Sequence, residues 1–408
     1  MLQHNRWNSL PDDIIGKIIS DLKFPRGGTV NITTTDFNVK LLIPVEYNIS
    51  EFWNILDNLF TLFTTPCMNT FSIDLGRSLY LEPCVKPILD SWARRLRACN
   101  TQHIAMLGYS TLGERVCPPS FFQIQSLVSL HLSSLLFVKH SNRFVSHPII
   151  LPNLEKLSLG SVDYEFLGRI LSSCPLLVYL CFSLYVKPKG KIRSVSISSK
   201  SLNRLRITTD MSSVLEDIID VVINAPILEN LSIIANSSSF VSMRTFDSIL
   251  NLKSLLLDGG LTTKLFNSPT GIIFPNLTNL TLFEINSFDL LMATSKQQML
   301  HCPNLKVLVL QFSTMYDIVW DTKAISFVLV EHVNHLKLIM GTVRIDQQTL
   351  NLVTWLLTSA PVLNKLVISG CGTRPSDDSL SKFRKTLLEC AEETSRCQIK
   401  FLGGYKLE

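Results

Sequence analysis

One pattern, Pro-x-Leu-x-x-Leu-x-Leu, returns along most of this 408-residue chain and constrains its folding more than any other feature. It is clean as PNLEKLSL from Pro152, PNLTNLTL from Pro275 and PNLKVLVL from Pro303. Looser copies are SLVSLHL from Ser126, PLLVYLCF from Pro175, SLNRLRI from Ser201, PILENLSI from Pro226, NLKSLLL from Asn251, VNHLKL from Val333 and PVLNKLVI from Pro361. Successive copies begin 23 to 30 residues apart. In Leu-x-Leu both leucines point to one side of a strand, and the residues between and beside them point to the other. One strand alone cannot keep its leucines dry. Copies stacked in parallel merge the leucine rows into a continuous core and leave the alternate positions as an open face. The proline ahead of each copy cannot donate a ladder hydrogen bond, so it is read as the strand entrance.

The period lies in or just above the leucine-rich-repeat range of about 20 to 29 residues. Between copies the apolar period becomes helical. In YEFLGRILSS from Tyr164, Phe166, Leu167, Ile170 and Leu171 share one face, and SVLEDIIDVVIN from Ser213, FDLLMATSKQQML from Phe288 and QTLNLVTWLL from Gln348 read the same way. The expected fold class is therefore α/β, a leucine-rich-repeat solenoid of the ribonuclease-inhibitor-like horseshoe kind. Parallel strands line its concave face and helices its convex face.

Upstream, FSIDLG from Phe71, the helix-like PCVKPILDSWARRLRA from Pro83 and HIAML from His103 suggest two degenerate units. Downstream, SDDSLSKFRKTLLECAEE from Ser376 reads as a helix, followed by a last apolar stretch, CQIKFL from Cys397. The expected organisation is a short N-terminal helix within 1–24, an irregular linker or N-terminal cap over 25–65, the solenoid over 66–370 and a C-terminal cap over 371–408.

Composition excludes several function classes. Hydrophobic residues make up 46% of the chain, enough for a long core, while charged residues make up 17% and the net +5 is spread along the length. No dense basic surface announces nucleic acid; RRLR from Arg94 and KPKGKIR from Lys187 are read as a helix face and a solvated loop. The opening MLQHNRWNSLPDD lacks the apolar core of a secretory signal, and no uncharged apolar run reaches about 18 residues. The expectation is an intracellular protein, in cytoplasm and/or nucleus, with no membrane or nucleic-acid partner. Six Asn-x-Ser/Thr triplets, at Asn31, Asn48, Asn230, Asn236, Asn276 and Asn279, are accordingly not read as glycosylation sites. The ten cysteines contain no Cys-x-x-Cys pair and are read as packing residues. His103, His131, His147, His301 and His335 lack a metal spacing, and no nucleophile stands with a base and a carboxylate. No catalytic residue, metal or cofactor is expected, so the chain is read as a binding protein and not an enzyme.

The candidate ligand surface is the set of alternate strand positions. Lys156, Tyr179, Arg204, Arg206, His335, Lys337 and Lys365 are its candidate contacts for an unknown target protein, Tyr179, Arg204 and Arg206 first because arginine and tyrosine are favoured interface anchors. Ten strands about 4.8 Å apart give a face roughly 45 Å long, room for a standard interface of about 800 Å² per partner.

Residues 9–22, SLPDDIIGKIISDL, read as a helix with Ser9 as N-cap, Asp12 and Asp13 in the first turn, and a broad apolar arc. With this Ser-Leu-Pro-Asp-Asp opening and the Cys-Pro-x-Leu-x-x-Leu form of SCPLLVYL and HCPNLKVL, the sequence resembles the plant F-box/leucine-rich repeat family, F-box/FBD/LRR type. The resemblance implies a substrate receptor of a cullin-RING (SCF-type) ubiquitin ligase: the F-box docks on an adaptor subunit and the repeats hold the protein to be ubiquitinated. It implies adaptor contacts by Leu10 and Pro11, supported by Ile14, Ile15 and Ile18. The family's F-box continues through further helices, whereas this chain runs KFPRGGTVNITTTDFNVKLLIPVEYN, rich in β-branched residues and glycine. The F-box is therefore read as truncated, and a scaffold or decoy without adaptor binding is the alternative.

Overall fold

The computed structural model describes residues 28–33, 38–43, 57, 68–74, 85–107, 119–132, 148–162, 164–184, 193–209, 218–234, 240–243, 249–258, 274–285, 302–312, 332–340, 347–369, 383–389 and 397–402. It divides into two compact units, one formed by Met1–Val186 with Ser198–Leu202, the other by Lys187–Ile197 with Asn203–Glu408.

In the first unit, β1 (Gly28–Thr33) and β2 (Asn38–Ile43) pair antiparallel, and β1 pairs antiparallel with β3 (Thr70–Asp74). From β3 onward every pairing is parallel, through β4 (His103–Leu107), β5 (Ser129–Leu132), β6 (Lys156–Val162) and β7 (Tyr179–Leu184). Thus the two degenerate units, FSIDLG and HIAML, are strands in register with the clear repeats. Behind them, α1 (Val85–Ala98) buries Leu89, Trp92, Ala93 and Leu96. The Trp92 ring meets Phe71 of β3 edge-on at 5.7 Å, and its indole N–H donates to Asp57 Oδ1 at 3.0 Å. That bond lets the large ring be fully buried without leaving its N–H unpaired. Asn100 ends α1 with φ 53°, while Thr101 N–H reaches Leu96 O and Asn100 N–H reaches Arg97 O, a Schellman closure in which asparagine takes the left-handed position. The predicted helix after β6 is α2 (Tyr164–Ser173); its Phe166 packs edge-on against Phe122 at 5.1 Å.

The second unit introduces β8 (Arg193–Ser198), β9 (Arg204–Thr209), β10 (Ile218–Asn224), β11 (Asn230–Ile234), β12 (Phe240–Met243), β13 (Ser254–Asp258) and β14 (Asn279–Ile285). Next come β15 (Val307–Phe312), β16 (His335–Met340), α3 (Gln347–Ser359), β17 (Lys365–Ser369) and β18 (Gln398–Leu402). Strands β9, β11 and β13 to β18 form the parallel ladder, each bearing one repeat except β18, which is the CQIKFL stretch. Strands β8, β10 and β12 form a separate three-stranded sheet.

This second sheet corrects the helix expected in SVLEDIIDVVIN. Residues 218–224 are strand β10, paired parallel with β12, and only 213–217 of that segment lie outside the described residues. The run Ile218, Ile219, Val221, Val222, Ile223 is β-branched, which stiffens χ1 and favours strand over helix. Helical returns are fewer than the periodicity suggested. Besides α1 and α2, QTLNLVTWLL forms α3 and residues 383–389 are helical, while FDLLMATSKQQML lies outside the described residues.

The proline has a different role from the one expected. It sits four residues before the strand, in the second position of a β-turn: in Leu151-Pro152-Asn153-Leu154 the Leu154 N–H donates to Leu151 O at 3.3 Å. Turns at Pro175, Pro226, Pro275, Pro303 and Pro361 close in the same way at 3.0–3.3 Å. Proline's fixed φ suits that position. In four coils an asparagine at the next turn position ties the coil to the one before: Asn153 Nδ2 donates to Gln125 O, Asn251 to Pro226 O, Asn276 to Leu250 O and Asn304 to Pro275 O, at 2.7–3.0 Å. Ser126 and Ser201 replace it with hydroxyl bonds to Thr101 O and Leu177 O. At each strand entrance one carbonyl of the preceding coil accepts two N–H groups; Thr278 O takes both Lys306 and Val307, each at 2.9 Å.

These roles separate by substitution. Leu280→Ala, at a fully buried position of β14, should cost about 2–5 kcal/mol. Asn304→Ala should cost about 1 kcal/mol for its lost inter-coil bond. Thr281→Ala on the open side should stay within about 0.5 kcal/mol. Urea unfolding of the full chain measures all three.

Candidate protein-binding face

Burial alternates along the repeat strands, half-exposed then buried, in β4, β5, β7, β11, β15 and β16. The buried members are the repeat's leucines: Leu205, Leu231, Leu255, Leu280, Leu308, Leu336 and Leu366 stand opposite one another in register in the second unit. Parallel pairing without slippage at these positions puts the alternate residues into two rows on the other side.

In the first unit the rows read Thr70, His103, Ser129, Lys156, Tyr179 and Ser72, Ala105, His131, Ser158, Cys181. In the second they read Arg204, Asn230, Ser254, Asn279, Val307, His335, Lys365, Gln398 and Arg206, Ser232, Leu256, Thr281, Val309, Lys337, Val367, Lys400. All seven predicted contacts occupy these rows. Lys156 and Tyr179 belong to the first unit, and Arg204, Arg206, His335, Lys337 and Lys365 to the second. Sequence reading missed His103 and His131 in the first unit's rows and Gln398 and Lys400 in the second's. Their signal is the apolar alternation of HIAML, SLHL and QIKFL, which align with the Leu-x-Leu of neighbouring repeats. The predicted adaptor contacts Leu10, Pro11, Ile14, Ile15 and Ile18 lie outside the described residues.

The second unit's two rows carry Arg204, Arg206, Lys337, Lys365 and Lys400 and no carboxylate. Glu229 at the entrance of β11, within electrostatic reach of Arg204, is engaged by Lys253 Nζ at 2.6 Å. Hydrogen bonds from Lys253 and then Asn203 hold its carboxyl below the ordinary value, and Arg204 adds to the effect. His335 Nε2 is buried without a hydrogen-bond partner, as is Ser232 Oγ. Burial, then the neighbouring Lys365 and Lys337, lowers the His335 pKa; burial alone lowers that of His131. Val367, between Lys337 and Lys400 in its row, is only 5% exposed.

Chemistry elsewhere is quiet. Cys174 and Cys302 are free, buried and pushed up to about 12 by burial, so they pack the turns as thiols and are poor nucleophiles. Among the described residues no three His, Cys, Asp or Glu side chains gather as a metal would require, and no helix is long and apolar enough to cross a membrane.

A parallel ladder with one leucine-sealed side, one open polar side and turns, six of them at proline, before its strands defines a leucine-rich-repeat protein. The comparisons agree. A family profile described as "FBD-associated F-box protein At5g56370, LRR repeats" matches residues 89–246. The chain is 26% identical over 245 residues to putative F-box/FBD/LRR-repeat protein At5g22670 of Arabidopsis thaliana, covering 57% of this chain and 53% of the relative. It is 29% identical over 251 residues to F-box/FBD/LRR-repeat protein At5g22660 of the same plant, covering 58% and 54%. Over the matched stretch the chain is similar to the repeat region of plant F-box/FBD/LRR-repeat proteins. The matched stretch spans about half the length of these curated relatives.

The electrostatics of His335 are measurable. Its folded pKa lies below the unfolded value near 6.5, so the stability it contributes is present above about pH 6.5 and is lost as pH falls toward the folded pKa. NMR titration should give a His335 midpoint below 6.5. Lys365→Gln, which removes a repelling charge, should move that midpoint upward.

Proposed function

We propose that the chain is the target-recognition subunit of a cullin-RING ubiquitin ligase of the SCF type. The open face holds the protein to be modified through Lys156, Tyr179, Arg204, Arg206, His335, Lys337 and Lys365. The segment 9–22, read from its sequence as a helix, docks on the adaptor subunit through Leu10, Pro11, Ile14, Ile15 and Ile18. The observation that carries this reading is the two-rowed open face, which spends side chains on solvent instead of core, joined to relatives whose names include F-box, FBD and LRR repeat. The chain supplies affinity and placement. Transfer of ubiquitin belongs to the ligase subunits it recruits, and holding the target nearby raises the local concentration of its lysines at the transfer site.

A second reading, a scaffold or decoy that binds the target without the adaptor, is favoured by one observation. Where the family's F-box would continue as helices, residues 28–43 contribute β1 and β2, and β1 pairs with β3. Those residues are committed to the repeat sheet and are not available to a second F-box helix.

Co-purification of the full chain with a plant ligase adaptor decides between the two. Stoichiometric capture by the wild type, lost in a Leu10→Ala/Pro11→Ala double variant, is the expected result. No capture by the wild type would leave the scaffold reading.

A further inference from the structure

We propose that β16–β18 form a subsite for an extended acidic segment of the target protein, its carboxylates held by Lys337, Lys365 and Lys400. This deepens the reading of the open face as the target-binding surface and rests on it.

Register sets the spacing of the cations. Lys365 lies on β17 in the first row, while Lys337 on β16 and Lys400 on β18 lie in the second. With strands about 4.8 Å apart and alternate residues about 6.7 Å apart, Lys365 stands roughly 8 Å from each of the other two. Lys337 and Lys400 stand roughly 10 Å apart, one strand to either side of Val367. An extended peptide presents every second side chain at roughly 7 Å, so a Glu-x-Glu spacing is commensurate with this lysine triangle.

The cations are unmatched. No ion pair is made by Lys337, Lys365 or Lys400 among the described residues, and the two rows on β15–β18 contain no carboxylate. Like charges gathered on one sheet face repel, a cost that an anionic occupant removes. The Arg204/Arg206 end differs, because Glu229 already lies within electrostatic reach of Arg204. Burial first, then the charge of Lys365 and Lys337, lowers the pKa of His335 beside them, so both cations act on this part of the face. Valine, not an aromatic ring, lies between the second-row lysines, which favours peptide over single-stranded nucleic acid, whose bases seek stacking platforms.

Fluorescence polarisation on the full chain tests this with a labelled decapeptide alternating Glu and Val, against a labelled single-stranded DNA decamer. A Lys337→Gln/Lys365→Gln/Lys400→Gln variant should weaken peptide binding by about 10-fold, while Arg204→Gln/Arg206→Gln weakens it less than about 2-fold. Circular dichroism melts confirm that both variants fold. If the triple variant does not, the exposed Lys400→Gln alone should weaken binding by about 3-fold. No peptide binding, tighter DNA binding with the same lysine dependence, or equal losses in the two variants would overturn the subsite. Loss confined to Arg204→Gln/Arg206→Gln would overturn it while leaving the open face as the target surface. Peptide binding that neither variant changes would overturn the open-face reading as well.

Discussion

Leu280 is buried because Leu255 and Leu308 stand in register on either side of it, and each of those is buried for the same reason. No repeat has a dry core of its own. Each fully buried leucine contributes about 1.5–3 kcal/mol, but only once the neighbouring coils are in place, so stability belongs to the stack. Everything else in the ladder serves that stacking. The turn before each strand lets a third leucine, such as Leu277, follow proline and asparagine into the core. The doubly accepting carbonyls and the asparagine side chains hold coil to coil at the point where the strand begins.

Because the leucine side takes all the packing demand, the other side is released from it. The rows in the second unit pass from arginine through asparagine, serine and threonine to valine, histidine and lysine with no break in the ladder behind them. Function can therefore vary on this face at small cost in stability. Lysines without an ion pair among the described residues are tolerated there because the leucine ladder beneath them is complete.

The first unit solves the problem of where a stack begins. A parallel ladder leaves an unpaired edge on its first strand, a template for unwanted pairing. Here β1 lies antiparallel on β3 and occupies that edge, while Asp57 fixes the ring of Trp92 behind it. A segment that the family resemblance would assign to docking is built into the repeat sheet, and this sets the two functional readings against each other.

Leu-x-x-Leu-x-Leu was enough to place the strands, the sealed side and all seven predicted open-face contacts, because side-chain direction in a strand has a period of two and needs no tertiary information. The return segments were less legible. Apolar runs such as IIDVVI fit both periods, and only pairing with β12 decides for strand. Asparagine's bond to the preceding coil was also invisible, since it depends on what lies one coil away. Lys400 escaped for the same reason: QIKFL alternates but carries too little leucine to announce a repeat, and Lys400 joins Lys337 and Lys365 only when β18 pairs with β17. The sequence by itself determined which side of each strand is core, because that is a local alternation. The tertiary structure decided which open-face residues are neighbours, because register between coils depends on hydrogen bonds between residues some 25 positions apart.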